Sequence, residues 1–381
     1  MNGYVLLADA PGFYTELIKE DEKQVWSWNQ RGLAWQEKGE LENAIKDYTE
    51  AIRLYPNIAM LYNNRGKAWG AKLEYDEAIK DYTEAIRLDP KFAMLYNNRG
   101  AVWGAKKEHD KAIKDHDEAI RLDPKYADAF YNRGVAWGDK KESDKAIQDY
   151  TEAIRLDPKY ATAFNNRGVA WGAKKEYDKE IKDYTEAIRL DPKYANAFYN
   201  RGNALRDKKE YDEAIKDYDE AIRLDPKFAL AFHNRGVSKL IARKAKASVD
   251  FQTYLNIEGW KGSHSTYATI FGHLSLRLDN NENGAQQLLA KVEGKLEDAW
   301  PYPVVKYLRG DIDEISLTKL ATDNEKQIAA HCYLGLDLLL KGKEEKAREH
   351  FEWIKKKGTP SFLEYTIAIA ELDRLDKAKD K

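Results

Sequence analysis

The chain has 381 residues, with 63 lysines and arginines against 65 aspartates and glutamates, a formal net charge of −2 and a single cysteine. That length exceeds one ordinary compact core and points to two or three globular domains or to a repeat array. The balanced charge argues against a nucleic-acid partner, which selects a basic face. Cys332 alone gives no disulfide framework and no thiolate cluster, and no run approaches the roughly 20 apolar residues of a membrane helix, so no transmembrane segment is expected.

Residues 1–24 are an N-terminal lead. A short apolar stretch, Val5 to Ala8, runs into Asp9-Ala10 and is similar to the tail of a secretory signal, but it lacks a basic n-region and a full apolar core, and Pro11 follows. The sequence as written reads as cytoplasmic, and as periplasmic or secreted if this stretch is a truncated signal. The plainer reading is an irregular entry into the first helix.

From residue 25 the chain repeats itself. Arg-Gly recurs at Arg31, Arg65, Arg99, Arg133, Arg167, Arg201 and Arg235, a spacing of 34 throughout. With position 1 at Val25, Ala59, Ala93, Ala127, Ala161, Ala195 and Ala229, position 4 is aromatic and position 8 is glycine. Position 11 is tryptophan in the first five units, alanine dominates positions 20 and 27, and proline follows the second helix of each regular unit. This pattern resembles the tetratricopeptide repeat family. The resemblance implies an all-α fold, a right-handed superhelix (α-solenoid) of paired helices A and B, with a helical C-terminal region and a capping helix. Residues 25–228 are six regular units; Glu180, in place of the position-20 alanine, predicts looser packing in the fifth.

Where the family normally has leucine at position 7, this chain has arginine, accompanied by aspartate at position 23 (Asp47, Asp81, Asp115, Asp149, Asp183, Asp217, and Asp250 in the seventh unit). An unpaired charge between helices A and B is costly, and a hydrogen-bonded carboxylate offsets that cost. An internal ion-pair ladder is expected. The alternative is seven arginines presented to an acidic ligand.

Residues 229–261 form a degenerate seventh unit, one residue short before Ala247 and with Gly259 where proline would stand. Residues 262–327 read as several short helices out of register. Residues 328–361 return to the pattern through Leu334, Gly335, Ala347 and Phe351 as an eighth unit, and 362–381 are a capping helix and charged tail. The stretch from Trp300 to Leu372 also resembles the C-terminal part of bacterial outer-membrane lipoprotein adaptors, whose tetratricopeptides recruit periplasmic proteases and peptidoglycan hydrolases. Their lipid-bearing cysteine has no counterpart here, so anchoring is not implied.

Nothing in the sequence assembles a catalytic set. His109, His116, His233, His264, His273, His331 and His350 are scattered and form no metal-ligand group, and His331 and Cys332, adjacent on a helix, point to different sides. There is no glycine-rich phosphate loop, and the carboxylates alternate with lysines as on a solvated face. No enzymatic activity and no cofactor are expected.

The family resemblance implies that positions 2, 5, 6, 9, 12 and 13 of helix A line a concave groove. Position 6 carries Asn64, Asn98, Asn132, Asn166, Asn200 and Asn234. An amide donates and accepts at once, so this ladder matches the N–H and C=O of an extended peptide. Because the repeats are near-identical copies, the alternative is an unliganded solvated asparagine row; the face is read as solvated, so alanine is expected to leave folding intact. Tyr131 and Tyr199 at position 5, Asp128 at position 2 and Asp139 at position 13 are expected to set specificity, with the asparagines at position 5 (Asn63, Asn97, Asn165). Glycine at position 12 (Gly70, Gly104, Gly138, Gly172) widens the floor. The expected function is a non-enzymatic scaffold or adaptor that holds an extended segment of a partner protein. The alternatives are a structural protein that self-associates through its near-identical repeats, or a periplasmic adaptor for proteases or peptidoglycan enzymes.

Overall fold

The computed structural model describes residues 10–260, 263–292, 294–296 and 299–379; Val5 to Ala8 and the end of the charged tail lie outside them. Among the described residues there are 22 helices and no strand. The chain divides into two units, Met1–Asp191 and Pro192–Lys381.

The first unit begins with α1 (Ala10–Glu20) and continues as five helix pairs. These are α2 (Val25–Glu37) with α3 (Leu41–Leu54), α4 (Ala59–Ala71) with α5 (Tyr75–Leu88), and α6 (Ala93–Ala105) with α7 (His109–Leu122). Then come α8 (Ala127–Asp139) with α9 (Ser143–Leu156), and α10 (Ala161–Ala173) with α11 (Tyr177–Leu190). The second helix of each pair suits its dipole: α5, for example, has Asp76 and Glu77 in its first turn and Arg87 in its last. Between the helices of a pair, the chain turns through one left-handed residue, Gly39 in the first and Leu73, Lys107, Lys141 and Lys175 in the next four. There, the Glu74 N–H reaches the Trp69 carbonyl at 3.0 Å and closes the end of α4.

The position-8 glycine has a specific neighbour. A Cβ on Gly66, Gly134 or Gly168 would stand 2.7–3.1 Å from the ring at position 24, namely Tyr82, Tyr150 or Tyr184. The glycine therefore admits a buried tyrosine from helix B, and the alanines at positions 20 and 27 (Ala78, Ala85, Ala146, Ala153) are fully buried beside it. Glu180 does not loosen its pair as expected. It is buried, accepts a hydrogen bond from the Tyr184 hydroxyl at 3.2 Å, and fills the space above Gly172, where a Cβ would lie 2.6 Å from its carboxylate.

The lead is not irregular over the part described, because α1 stands in the register of a B helix. Thr15, 34 residues before Thr49, receives the Arg31 guanidinium at 3.0 Å as Thr49 receives Arg65 at 3.0 Å.

The second unit contains α12 (Ala195–Asp207), α13 (Tyr211–Leu224), α14 (Ala229–Ile241), α15 (Ala247–Glu258), α16 (Ser263–Leu278), α17 (Glu282–Ala290), α18 (Tyr302–Arg309), α19 (Glu314–Leu320), α20 (Asn324–Leu340), α21 (Glu344–Lys357) and α22 (Leu363–Lys379). The region read as short helices opens with the 16-residue α16. A Cβ on its Gly272 would lie 3.0 Å from Leu288 of α17, the glycine-to-helix-B contact of the repeats with leucine in place of the ring. In α20 and α21, Gly335 meets Phe351 in the same way. One continuous core runs from Ala229 to Leu375, and α22 returns to α14: Glu371 accepts from Arg243 at 2.6 Å, and Arg374 donates to the Ile241 carbonyl.

Candidate functional site

The arginines at position 7 come first, because they decide whether the repeat presents charge to a guest. Arg31, Arg65, Arg99, Arg133, Arg167 and Arg201 each grip their position-23 aspartate with two hydrogen bonds of 2.7–2.8 Å. Arg235 pairs with Asp250, which also holds Lys239 at 2.9 Å. The remaining guanidinium nitrogen crosses to the preceding helix B, as from Arg99 to Thr83 at 3.1 Å and from Arg133 to Asp117 at 2.6 Å. Each ring at position 4 lies under its arginine, 4.8–5.9 Å from the guanidinium carbon. Burial pushes the Asp81 and Asp149 carboxyls above the ordinary range, and the guanidiniums opposite pull them back only in part. The arginines join helices and are not offered to an acidic ligand.

The asparagine ladder is also tied into the array. Nδ2 of Asn64, Asn98 and Asn132 donates to the side-chain oxygen of Asn29, Asn63 and Asn97 at 2.9–3.0 Å. Asn166 and Asn234 donate to the hydroxyls of Tyr131 and Tyr199, both at 3.0 Å. Position 6 of one unit thus bonds position 5 of the unit before. This corrects two expectations. Asn63, Asn97 and Asn165 are buried between helices and present nothing to a guest, and the position-6 row is not a free solvated face: Asn64 is buried, while Asn98, Asn132, Asn166, Asn200 and Asn234 are half-buried. Alanine at Asn132 would leave the buried Asn97 carbonyl without its donor.

Tyr131 sits half-buried against Tyr160, ring centroids 4.9 Å apart, and Tyr199 packs likewise on Phe228 at 4.7 Å. Asp128 is exposed and accepts from the Tyr160 hydroxyl at 2.9 Å; burial and that carboxylate together raise the Tyr160 phenol. Asp139 is exposed beside His109 at 3.7 Å.

What the helices leave open is the floor. Among the described residues, and apart from its own helix backbone, nothing lies within 4 Å of a Cβ on Gly104, and one on Gly70 would meet Val102 at 3.8 Å. Over Gly70 there is an open depression of about 340 Å³, lined by Lys67, Asn98, Ala101, Val102, Ala105 and the Tyr75 and Tyr82 rings. The sequence reading missed Ala101 and Ala105, at positions 9 and 13, whose small size shapes this hollow. At Gly172 the widening is lost to Glu180.

A family model of the tetratricopeptide repeat matches residues 25–58, 59–92, 127–160 and 195–228, and a second, described as TPR repeat, matches 104–140 and 173–205. The array is a tetratricopeptide array. A chain of the APC/C hetero-tetramer Cut9–Hcn1 shares the fold, with a TM-score of 0.53 and 18% identity over 69% of this chain and 52% of that one. A tetratricopeptide repeat protein from Parabacteroides merdae gives 0.49 and 20% identity over 69% of this chain and 98% of its own. YrrB, described as a TPR protein with an unusual peptide-binding site, gives 0.39 and 23% identity over 48% and 95%. A comparison with curated proteins returns no match. The tetratricopeptide fold makes the chain a protein-interaction scaffold, and no described helix is long and apolar enough to cross a membrane.

Proposed function

We propose that the concave face of the first unit holds an extended segment of a partner protein. The observation that carries this reading is the depression above Gly70, where the Asn98 amide stands beside small apolar side chains. One Asn98 N–H is committed to Asn63, which fixes the amide plane and leaves its carbonyl and second N–H for a guest main chain. Ala101 and Ala105 make room for a guest side chain. Asp128 and Asp139 favour a guest with basic residues toward its end over α8.

The test uses Gly70→Leu, because Gly70 lines the depression, a Cβ there is in ordinary contact with Val102 at 3.8 Å, and leucine favours helix over glycine by about 0.8 kcal/mol. Peptides enriched from a random display library on the full chain are titrated against both proteins. The variant is expected to fold with equal or higher stability and to lose affinity at least tenfold. Equal affinities would place recognition elsewhere. Failure to enrich any peptide, with mass rising with concentration in light scattering, would favour self-assembly.

A further inference from the structure

His331 of α20 and His350 of α21 are 19 residues apart in sequence and come together in the fold. Their Nδ1 atoms stand 2.8 Å apart, so one ring donates its N–H to the other. His350 Nε2 lies 3.4 Å from the Glu314 carboxylate on α19. That neighbour keeps the His350 proton on Nε2, so His350 accepts at Nδ1 and His331 donates. Trp353 stacks on the His331 ring, 4.1 Å between centroids and 5° from parallel, and fixes its plane. Both imidazoles are half-buried, within reach of solvent, whereas Cys332 is wholly buried in the core and takes no part.

We propose that His331 and His350 bind a divalent transition-metal ion of tetragonal preference, copper(II) first and nickel(II) second, through their facing Nδ1 atoms. Two ligands at right angles, roughly 2.0 Å from one ion, are separated by about 2.8 Å, whereas a tetrahedral zinc site spreads two imidazole nitrogens to about 3.3 Å. The hydrogen-bonded nitrogens already stand at that right-angle spacing, so binding needs the rings to turn rather than to move apart. A swing of both rings turns the two lone pairs toward a common point. On binding, His331 moves its proton from Nδ1 to Nε2, so no net proton need be released. Glu314 holds the Nε2–H of His350, the carboxylate–histidine arrangement that orients metal ligands. Among the described residues no three of His, Cys, Asp and Glu converge on one point, so water completes the coordination.

The test is titration of the untagged full chain with copper(II) chloride, read by calorimetry, by Trp353 emission and by electron paramagnetic resonance. One equivalent is expected to bind, with zinc(II) at least tenfold weaker. Nitrogen splitting should report two imidazoles, and part of the emission should be quenched in the wild type but not in Trp353→Phe. His350→Gln should remove the tight equivalent, and Glu314→Gln should weaken it about tenfold. Unchanged binding in a folded His350→Gln variant, zinc as tight as copper, or a spectrum without two nitrogens would overturn the assignment. The spectrum decides the matter on the wild-type chain even if His350→Gln is unstable.

Discussion

At the scale of single residues, the Arg–Asp pair at positions 7 and 23 shows how burial converts a surface interaction into a structural one. Asp149 and Asp183 are buried, and losing either leaves a guanidinium between helices. Asp149→Ala is expected to cost about 3 kcal/mol. Asp183→Ala should cost more, because Arg133 keeps the Asp117 carboxylate at 2.6 Å while Arg167 keeps only the Thr151 hydroxyl at 3.1 Å. Urea unfolding of the two variants checks the order, and equal losses would mean that the crossing contact contributes nothing. His116 gives a pH prediction. Burial, helped by Arg133, holds its imidazole down to about 3. Its folded value thus lies below the ordinary value of about 6.5, so its stability is fully present above that pH and is lost as pH falls toward 3. At pH 5 the loss is about 2 kcal/mol. His116→Tyr, the residue of the neighbouring repeats, should flatten the stability slope between pH 7 and pH 5 by that amount in parallel denaturation curves. The Arg–Asp pairing was legible because both partners recur within one repeat. The crossing bonds were not, since a 34-residue alignment compares equivalent positions and hides a contact from position 5 to position 6 of the next unit. Thr15 was hidden more deeply, lying before the first Arg-Gly.

At the scale of elements, the turns inside the pairs explain why the array tolerates lysine where glycine would be easier. Lys107, Lys141 and Lys175 hold φ values of 62°, 62° and 59°, a left-handed conformation that costs an L side chain about 1 kcal/mol or more. Gly39 takes the same place in the first pair at φ 77°. Lys141→Gly is therefore expected to stabilise the chain by about 0.5–1 kcal/mol, with glycine's greater freedom in the unfolded chain offsetting part of the relief. A thermal midpoint that falls would show that the Lys141 side chain contributes more than its left-handed backbone costs. The α16–α17 pair escaped a reading based on register because position 1 would fall at Ser265, 36 residues after Ala229 rather than 34. Leu288 then replaces the ring that marks position 24 elsewhere, leaving Gly272 as the one sequence sign of a helix pair.

At the scale of the molecule, the two units are held together internally in different ways. The first has small separate clusters, such as Ala44, Ile45, Tyr48 and Ala68 or Ala146, Ile147, Tyr150 and Ala170, each spanning neighbouring helices, so its stability is a sum of local terms. The second has a large core in which Leu240, Ile241, Phe251 and Leu255 of α14 and α15 share apolar neighbours with α16, α20 and α22. The helical C-terminal region is thus part of the core that encloses α14 and α15. Ending the chain after Glu258 would expose Phe251 and Leu255, both fully buried, and would remove Glu371 from Arg243. Local opening should follow there first, because opening free energy tracks buried apolar contact. Hydrogen exchange on the truncated chain is expected to show lost protection over residues 229–258, with residues 41–160 still protected and the first melting step at lower temperature. Unchanged protection over 229–258 would show that α14 and α15 stand without the C-terminal helices. Uniform loss along the chain would show that the local clusters of the first unit depend on the core of the second as well.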